Sequence, residues 1–405
     1  MSYTDDYLQS ESAAQNFEIS VLVNCMVQDA TRLGASDLHI EPWEKAIAVR
    51  ARVNGVLVEV SHLPLELLDK ISMRFKVMAN LVTYQAGQPQ DGTAVGGPEL
   101  EGVQLRISIF PTTRGEKIVA RLFDPRDRRF DLNALNFDEA ALKGLLRLLK
   151  RSSGLVLFTG PTGSGKTSTM YSALCHIIQR DGTTVSVSTV EDPVEFNLPM
   201  MSQTQINTAQ DFTYATALRS IMRQDPQVIM VGEIRDPDTA AIAVQAGLTG
   251  HLVLSTIHSG TSAGAFTRLI NMDIEPFLLA SSVLGVMGLR LVRSNCKQCA
   301  EPYTPEASQL RVIPDELVAQ AQFRHGTGCE HCTQTGFAGR LPVTELLIVD
   351  EPFREAVLKK MQTSALADIA IQQGMRTLWQ NGLAHAINGQ TSLEETIRVL
   401  AADMI

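Results

Sequence analysis

Apolar residues recur at helical spacing along ISVLVNCMVQDATRL (19–33), and Gly34 follows where such a helix would stop. The stretch AIAVRARVNGVLVEV (46–60) alternates instead, and the Asn54-Gly55 pair inside it predicts a hairpin turn. A helix is expected over 65–80, then strands in VQLRISIF and KIVARLF on either side of PTTRGE. These elements predict a compact N-terminal α/β domain over 16–123, preceded by a flexible lead-in at 1–15. The charged, aperiodic DPRDRRFDLNAL (124–135) reads as a linker.

Beyond the linker the pattern changes. Short apolar runs at 155–158, 184–190, 228–231 and 252–256 predict strands. They alternate with helices expected from Lys166, around 212–222 and from Pro237. That alternation predicts an α/β core over 136–290, a parallel sheet with helices on both faces. FLLASSVLGVMGL (277–289) is the most apolar helical candidate, too short for the ~20 residues a bilayer requires. The segment 346–405 reads as mostly helical.

Composition narrows the class. With 405 residues, 44% hydrophobic and 20% charged, the chain is long enough for several folded domains and is not disordered. A net charge of −9 argues against nucleic acid as a partner. The acidic, polar N-terminus MSYTDDYLQSES is no export signal, so a cytoplasmic location with reduced thiols is expected.

The octapeptide GPTGSGKT fits the phosphate-loop pattern G-x-x-x-x-G-K-[ST] in full: Gly160, Pro161, Thr162, Gly163, Ser164, Gly165, Lys166, Thr167. An apolar strand leads in and a helical stretch beginning with Ser168 leads out, the context this motif needs. Backbone N–H groups freed by the glycines can surround phosphate oxygens at a helix N-terminus. Lys166 would reach the β and γ phosphates, and Thr167 would offer its hydroxyl to Mg²⁺. The chain has no N-K-x-D run to read guanine, so ATP is the expected nucleotide.

Two acidic segments follow predicted strands. STVEDPVEF places Glu191 and Asp192 after the first, and VIMVGEIRD places Glu233 after the second. In a doubly wound sheet the C-terminal strand ends gather at the ligand crevice, where a carboxylate can orient and deprotonate water. Many ATP-hydrolysing folds end this strand in an aspartate; here Gly232 and Glu233 stand instead. Glu233 is therefore expected to activate water, and Thr167 to hold the metal, with Glu191 or Asp192 acting through bound water. His251 and His258 flank the strand LVLST, and histidine is suited to polarising a contact to the γ-phosphate. Any one of these acids or histidines alone could equally be a cap or a structural side chain.

Four of the six cysteines fall as Cys296-x-x-Cys299 and Cys329-x-x-Cys332. In a reducing compartment two such pairs read as one tetrahedral Zn²⁺ site within an element over 291–345. Cys25 and Cys175 lie on apolar helical faces and read as packing residues.

Taken in order, GASDLHIEP, PQDG, LRISIFPTTRGEKIVARL, GPTGSGKT, EDPVEF, IMVGEIRDPDTA, AGLTGHLVLSTIHS and the paired C-x-x-C motifs resemble the secretion ATPases of type II secretion and type IV pilus assembly. The resemblance implies a PAS-like N-terminal domain and a RecA-like ATPase domain. It makes EDPVE an Asp box, TGHLVLSTIH a His box and Glu233 the catalytic base. It also implies a homo-hexamer in which Arg106 and Arg121 of the N-terminal domain approach the nucleotide, and work passed to an inner-membrane platform protein through a cytoplasmic or membrane adaptor. Asn54 departs from the family's usual Asp, and Gly87 from its usual Arg. A separate N-terminal docking module seen in longer members is expected to be absent. The cysteine element favours assembly over retraction, and protein over DNA cargo. A DNA-transport ATPase and a nucleotide-binding subunit without turnover remain as alternatives.

Overall fold

The structure is a computed structural model that describes residues 2–12, 18–100, 102–123 and 130–401. The chain divides into two compact units, Met1–Arg128 and Arg129–Ile405.

In the first unit, β1 (Asp37–Pro42), β2 (Ile47–Val53), β3 (Val56–Leu63), β4 (Gln90–Val95), β5 (Gln104–Thr112) and β6 (Gly115–Phe123) form one sheet in the order β3-β2-β1-β6-β5-β4. All neighbours are antiparallel. Asn54 and Gly55 join β2 to β3 with φ of 49° and 85°, the two positive values that a tight hairpin of this hand requires. Asparagine tolerates that conformation, which gives Asn54 a local structural reason. Helices Ile19–Arg32 and Leu68–Met78 cover the sheet, packing Leu22, Met26, Ile71 and Phe75 against Ile40 and Ile107.

The lead-in departs from expectation, because Tyr3–Ser12 is helical. Asp29, buried on the next helix, accepts hydrogen bonds from the backbone N–H groups of Tyr3 (2.8 Å) and Thr4 (2.9 Å) and from the Thr4 hydroxyl (2.8 Å). A carboxylate from a second helix thus satisfies two of the donors that a helix N-terminus leaves open, and the Ser2 hydroxyl accepts from Asp5 N–H at 3.0 Å. Of the expected linker, residues 124–129 lie outside the described residues. Asp131 then caps a 3₁₀ turn, Leu132–Leu135, whose Leu132 is buried in the second unit's core.

The second unit is built on β7 (Gly154–Thr159), β8 (Val187–Glu191), β9 (Ser202–Gln205), β10 (Val228–Ile234), β11 (Leu252–Ile257), β12 (Val283–Asn295) and, beyond two short strands described below, β15 (Phe337–Ile348). They lie in the order β15-β12-β7-β11-β10-β8-β9, parallel except for the β12–β15 pair. Successive side chains point to opposite faces. Leu155 and Leu157 enter one core with Ile229, Val231 and Val253. Val156 and Phe158 enter the other with Val228, Met230 and Leu254. Both faces are buried, which is why these strands read as continuous apolar runs. Helices Tyr214–Ile221, Pro237–Leu248 and Ser262–Ile270 cover the first face, and Glu139–Leu148 and Lys166–Asp181 the second.

The apolar stretch 277–289 is not one helix. Helix Pro276–Ser282 ends where the backbone becomes extended at Val283, and the rest enters β12. A Cβ on Gly285 would meet the Leu347 carbonyl oxygen at 2.7 Å, and one on Gly288 would meet Glu345 Cγ at 2.7 Å. These glycines let β12 lie close to β15, a constraint that helical periodicity does not reveal.

Residues 296–336 form an insertion between β12 and β15, carrying the small sheet of β13 (Ala300–Pro302) and β14 (Arg324–Gly326). The main sheet therefore keeps 291–295 and 337–345, which the sequence assigned to the cysteine element. Helices Glu351–Leu358, Thr363–Gln372, Leu378–Ile387 and Leu393–Leu400 complete the unit. Among the described residues no helix is long and apolar enough to cross a membrane.

Candidate functional site

β7 ends at Thr159, and GPTGSGKT turns the chain into helix Lys166–Asp181. Gly160 has φ of 145° and leaves no room for a side chain, since a Cβ would meet the Leu289 carbonyl oxygen at 2.4 Å. The Lys166 Nζ donates to the carbonyl oxygens of Gly160 (2.7 Å) and Pro161 (2.8 Å). Burial pushes the ammonium below its ordinary range; Glu233 acts against that shift and Arg290 adds to it. A phosphate would give this desolvated cation anionic acceptors in place of two neutral carbonyls. Ser164, within the loop, is buried.

A cavity of about 440 Å³ opens over the loop. Thr162, Gly163, Gly165, Lys166, Thr167 and Ser168 form one wall. Glu191 and Asp192 at the end of β8, Glu233 near the end of β10 and His258 just beyond β11 form the facing wall. The folding of parallel strands thus brings these residues together from distant parts of the chain.

His251 is not among them. It precedes β11, whereas His258 follows it. A strand of that length spans ~20 Å, so the two histidines stand at opposite ends of the sheet. The His251 Nδ1 instead lies 3.1 Å from the Ala246 carbonyl oxygen, at the end of the preceding helix.

β10 continues past Val231, with a register shift between Val231 and Ile234 that contains Glu233. The Glu233 carboxylate forms an ion pair with Arg235 and lies 3.5 Å from His258 Nε2. Gly232 beside it is tightly enclosed: a Cβ would meet the Tyr214 hydroxyl at 2.8 Å, while Thr256 Oγ1 donates to its carbonyl at 2.8 Å. The slim backbone at this strand end therefore makes room for a tyrosine. Glu191 is more confined, 3% exposed, and accepts from Thr189 Oγ1 (2.5 Å), Gln203 Nε2 (3.1 Å) and the Tyr171 hydroxyl.

Tyr214, Arg235 and Arg340 also line the cavity and were not singled out in the sequence. Burial, with the negative charges of Glu233 and Asp192, pushes the Tyr214 phenol far above its usual range, so it stays a neutral hydroxyl. Arg235 was legible, standing two positions after the Glu233 it pairs with. Arg340 comes from β15, and no local pattern announces it.

Arg106 on β5 and Arg121 on β6 belong to the first unit and lie directly opposite each other. Both are exposed. The Arg121 Nε lies 3.0 Å from Asp37 Oδ1. Asp37 therefore already balances part of the positive charge at this pair of positions.

In the inserted element, the Cys296, Cys299, Cys329 and Cys332 sulfur atoms all lie within 4.8 Å of one another. The pairs 296–329 and 299–332 are each 3.8 Å apart, and 329–332 is 3.7 Å. Tetrahedral Zn²⁺ with Zn–S of ~2.3 Å places its sulfurs ~3.8 Å apart, so the donor set fits that ion. Burial pushes the Cys332 thiol up, but N–H groups of Cys329 and Gly336 and neighbouring thiols hold it down at about 7. The neighbouring Cys299 thiol is pushed the other way, up to about 11, first by burial and then by its hydrogen bonds with the other three thiols.

The family model "Type II/IV secretion system protein" matches residues 12–398. The chain is 41% identical to "Type II secretion system protein E" of Aeromonas hydrophila, with 99% of this chain and 78% of that protein aligned. It is 42% identical to "Type II secretion system ATPase E" of Vibrio cholerae serotype O1, with 98% and 77% aligned. Against "Type IV pilus assembly ATPase PilB" of Myxococcus xanthus it is 39% identical, with 99% and 71% aligned. Among solved structures, the Legionella pneumophila ATPase DotB is similar in fold, at TM-score 0.70 and 20% identity over 94% of this chain and 96% of that one. The pilus retraction motor PilT with bound ADP matches at TM-score 0.61 and 23% identity over 93% and 96%.

Proposed function

The chain belongs to the type II/IV secretion system protein family, and from that premise we propose that it is a motor ATPase that drives assembly of a type IV pilus or a type II secretion pseudopilus. The observation that carries this reading is the convergence of Lys166, Glu191, Glu233 and His258 on one cavity above a complete phosphate loop. ATP would lie along the loop, its phosphates held by backbone N–H groups and Lys166. Thr167 would bind Mg²⁺, and Glu191 and Asp192 would orient the waters of that ion. Glu233 would take a proton from the attacking water, with His258 beside it as a contact to the γ-phosphate.

Arg106 and Arg121 would neutralise charge developing on the phosphates and couple hydrolysis to domain movement. The four cysteines would hold a structural Zn²⁺. As the resemblance implies, the working form would be a homo-hexamer at the cytoplasmic face of the inner membrane. It would act on a platform protein with an adaptor, because among the described residues this chain offers no helix of its own to span the bilayer.

Protein rather than DNA cargo is favoured by the net charge of −9. The test is phosphate release from ATP by the purified chain. Mg²⁺-dependent release abolished by Lys166→Ala supports the reading, whereas release that requires added DNA favours a DNA-transport ATPase. Tight ATP binding without release points to a regulatory subunit.

A further inference from the structure

Glu191 needs an explanation that the phosphate loop does not supply. Its carboxylate sits in the cavity wall, yet among the described residues its hydrogen bonds come from three neutral donors that do not line the cavity. Thr189 comes from the same strand, Gln203 from the edge strand β9 and Tyr171 from the helix that begins at the phosphate loop. We propose that Tyr171 is a positioning residue for the nucleotide site, fixing the Glu191 carboxylate where it orients the metal's waters.

Neutral donors fix a carboxylate's direction without cancelling its charge, which leaves the negative field available to a cation. A lysine or arginine in the same place would have neutralised it. The Tyr171 ring is fully buried, and Phe130 and Phe196 close edge-on around it, with centroids 5.2 and 6.1 Å away. Packing therefore sets where the hydroxyl points. Burial and the neighbouring Glu191 both push the phenol above its usual range, so the group remains a donor.

This inference rests on the proposed ATPase reading, and the test separates the two. Tyr171→Phe keeps the ring and removes one hydroxyl. Loss of a hydrogen bond to a charged group should lower kcat ~10-fold or more, leave KM for ATP within ~2-fold, and raise the Mg²⁺ concentration for half-maximal rate several-fold. In a Glu191→Gln background the same change should add little, because the two side chains act as a unit. Mn²⁺ affinity measured with a non-hydrolysable ATP analogue should fall in parallel, a readout independent of turnover. Gln203→Met removes a donor from the edge strand and should shift metal affinity in the same direction, should Tyr171→Phe fail to fold. An active wild type whose Tyr171→Phe variant matches it in kcat and metal requirement overturns the positioning role, as do losses that multiply in the double variant. A wild type that binds the analogue but never hydrolyses ATP overturns the ATPase reading, while the Mn²⁺ arm still decides the role of Tyr171.

Discussion

His258 Nε2 lies 3.5 Å from Glu233 Oε2, joining the ends of two neighbouring parallel strands. β11, which His258 follows, also lies beside β7, the strand that carries the phosphate loop. Three adjacent strand ends thus deliver a lysine, a histidine and a glutamate to one cavity. An imidazole in that position can hold the carboxylate when no nucleotide is bound and exchange that contact for a phosphate oxygen when one is.

The two histidines of the His box should therefore behave differently. His258→Ala should lower kcat by ~100-fold, the low end of what a side chain acting on the reacting groups contributes. His251→Ala, at the far end of the strand, should leave kcat within ~2-fold. Steady-state phosphate release from the two variants measures both.

That contrast marks where sequence reasoning stopped. GPTGSGKT was legible because the loop and its flanking strand and helix are contiguous, and Glu233 because its strand ends there. Pairing His251 with His258 overlooked the length of β11. The stretch 277–289 is apolar in both its helical and its extended half, so periodicity could not divide it. The Tyr3–Ser12 helix depends on Asp29, beyond the reach of local composition. Tyr171, Tyr214 and Arg340 enter the cavity region only through tertiary folding.

The four cysteines should hold one zinc per chain. Cys332→Ser should lose it and unfold several degrees lower, since metal binding is coupled to folding of the inserted element. Elemental analysis and calorimetry of the purified protein check this, and a fresh preparation without zinc contradicts it.

Glu395 should make stability depend on acid. Burial acts to raise its pKa, but hydrogen bonds from Arg398 and Arg293 outweigh that and hold it below 4.5. Because the folded value is depressed, the stabilisation is present above 4.5 and is lost as pH falls through the folded pKa. Glu395→Gln should cost ~1–3 kcal/mol at neutral pH, less than for a fully buried pair, because solvent reaches the Arg398 side chain and can screen the charges left behind. Denaturant titrations at descending pH should show the gap from wild type narrowing below 4.5.

Arg106→Ala and Arg121→Ala should each lower kcat of the assembled protein at least ~10-fold, the least expected of an arginine that stabilises transferring phosphates. Nucleotide affinity should change far less. The Arg121 side chain is 51% exposed, so loss of its Asp37 ion pair should cost under ~1 kcal/mol of stability. Equal stability with unchanged turnover would return both arginines to the surface.

The most direct measurement of the central claim is ATP hydrolysis by the ring-assembled wild type beside Glu233→Gln. The account predicts Mg²⁺-dependent turnover in the wild type and a loss of ~10²-fold or more in the variant, with ATP binding retained. A wild type no faster than the variant, or a variant as fast as the wild type, would contradict it.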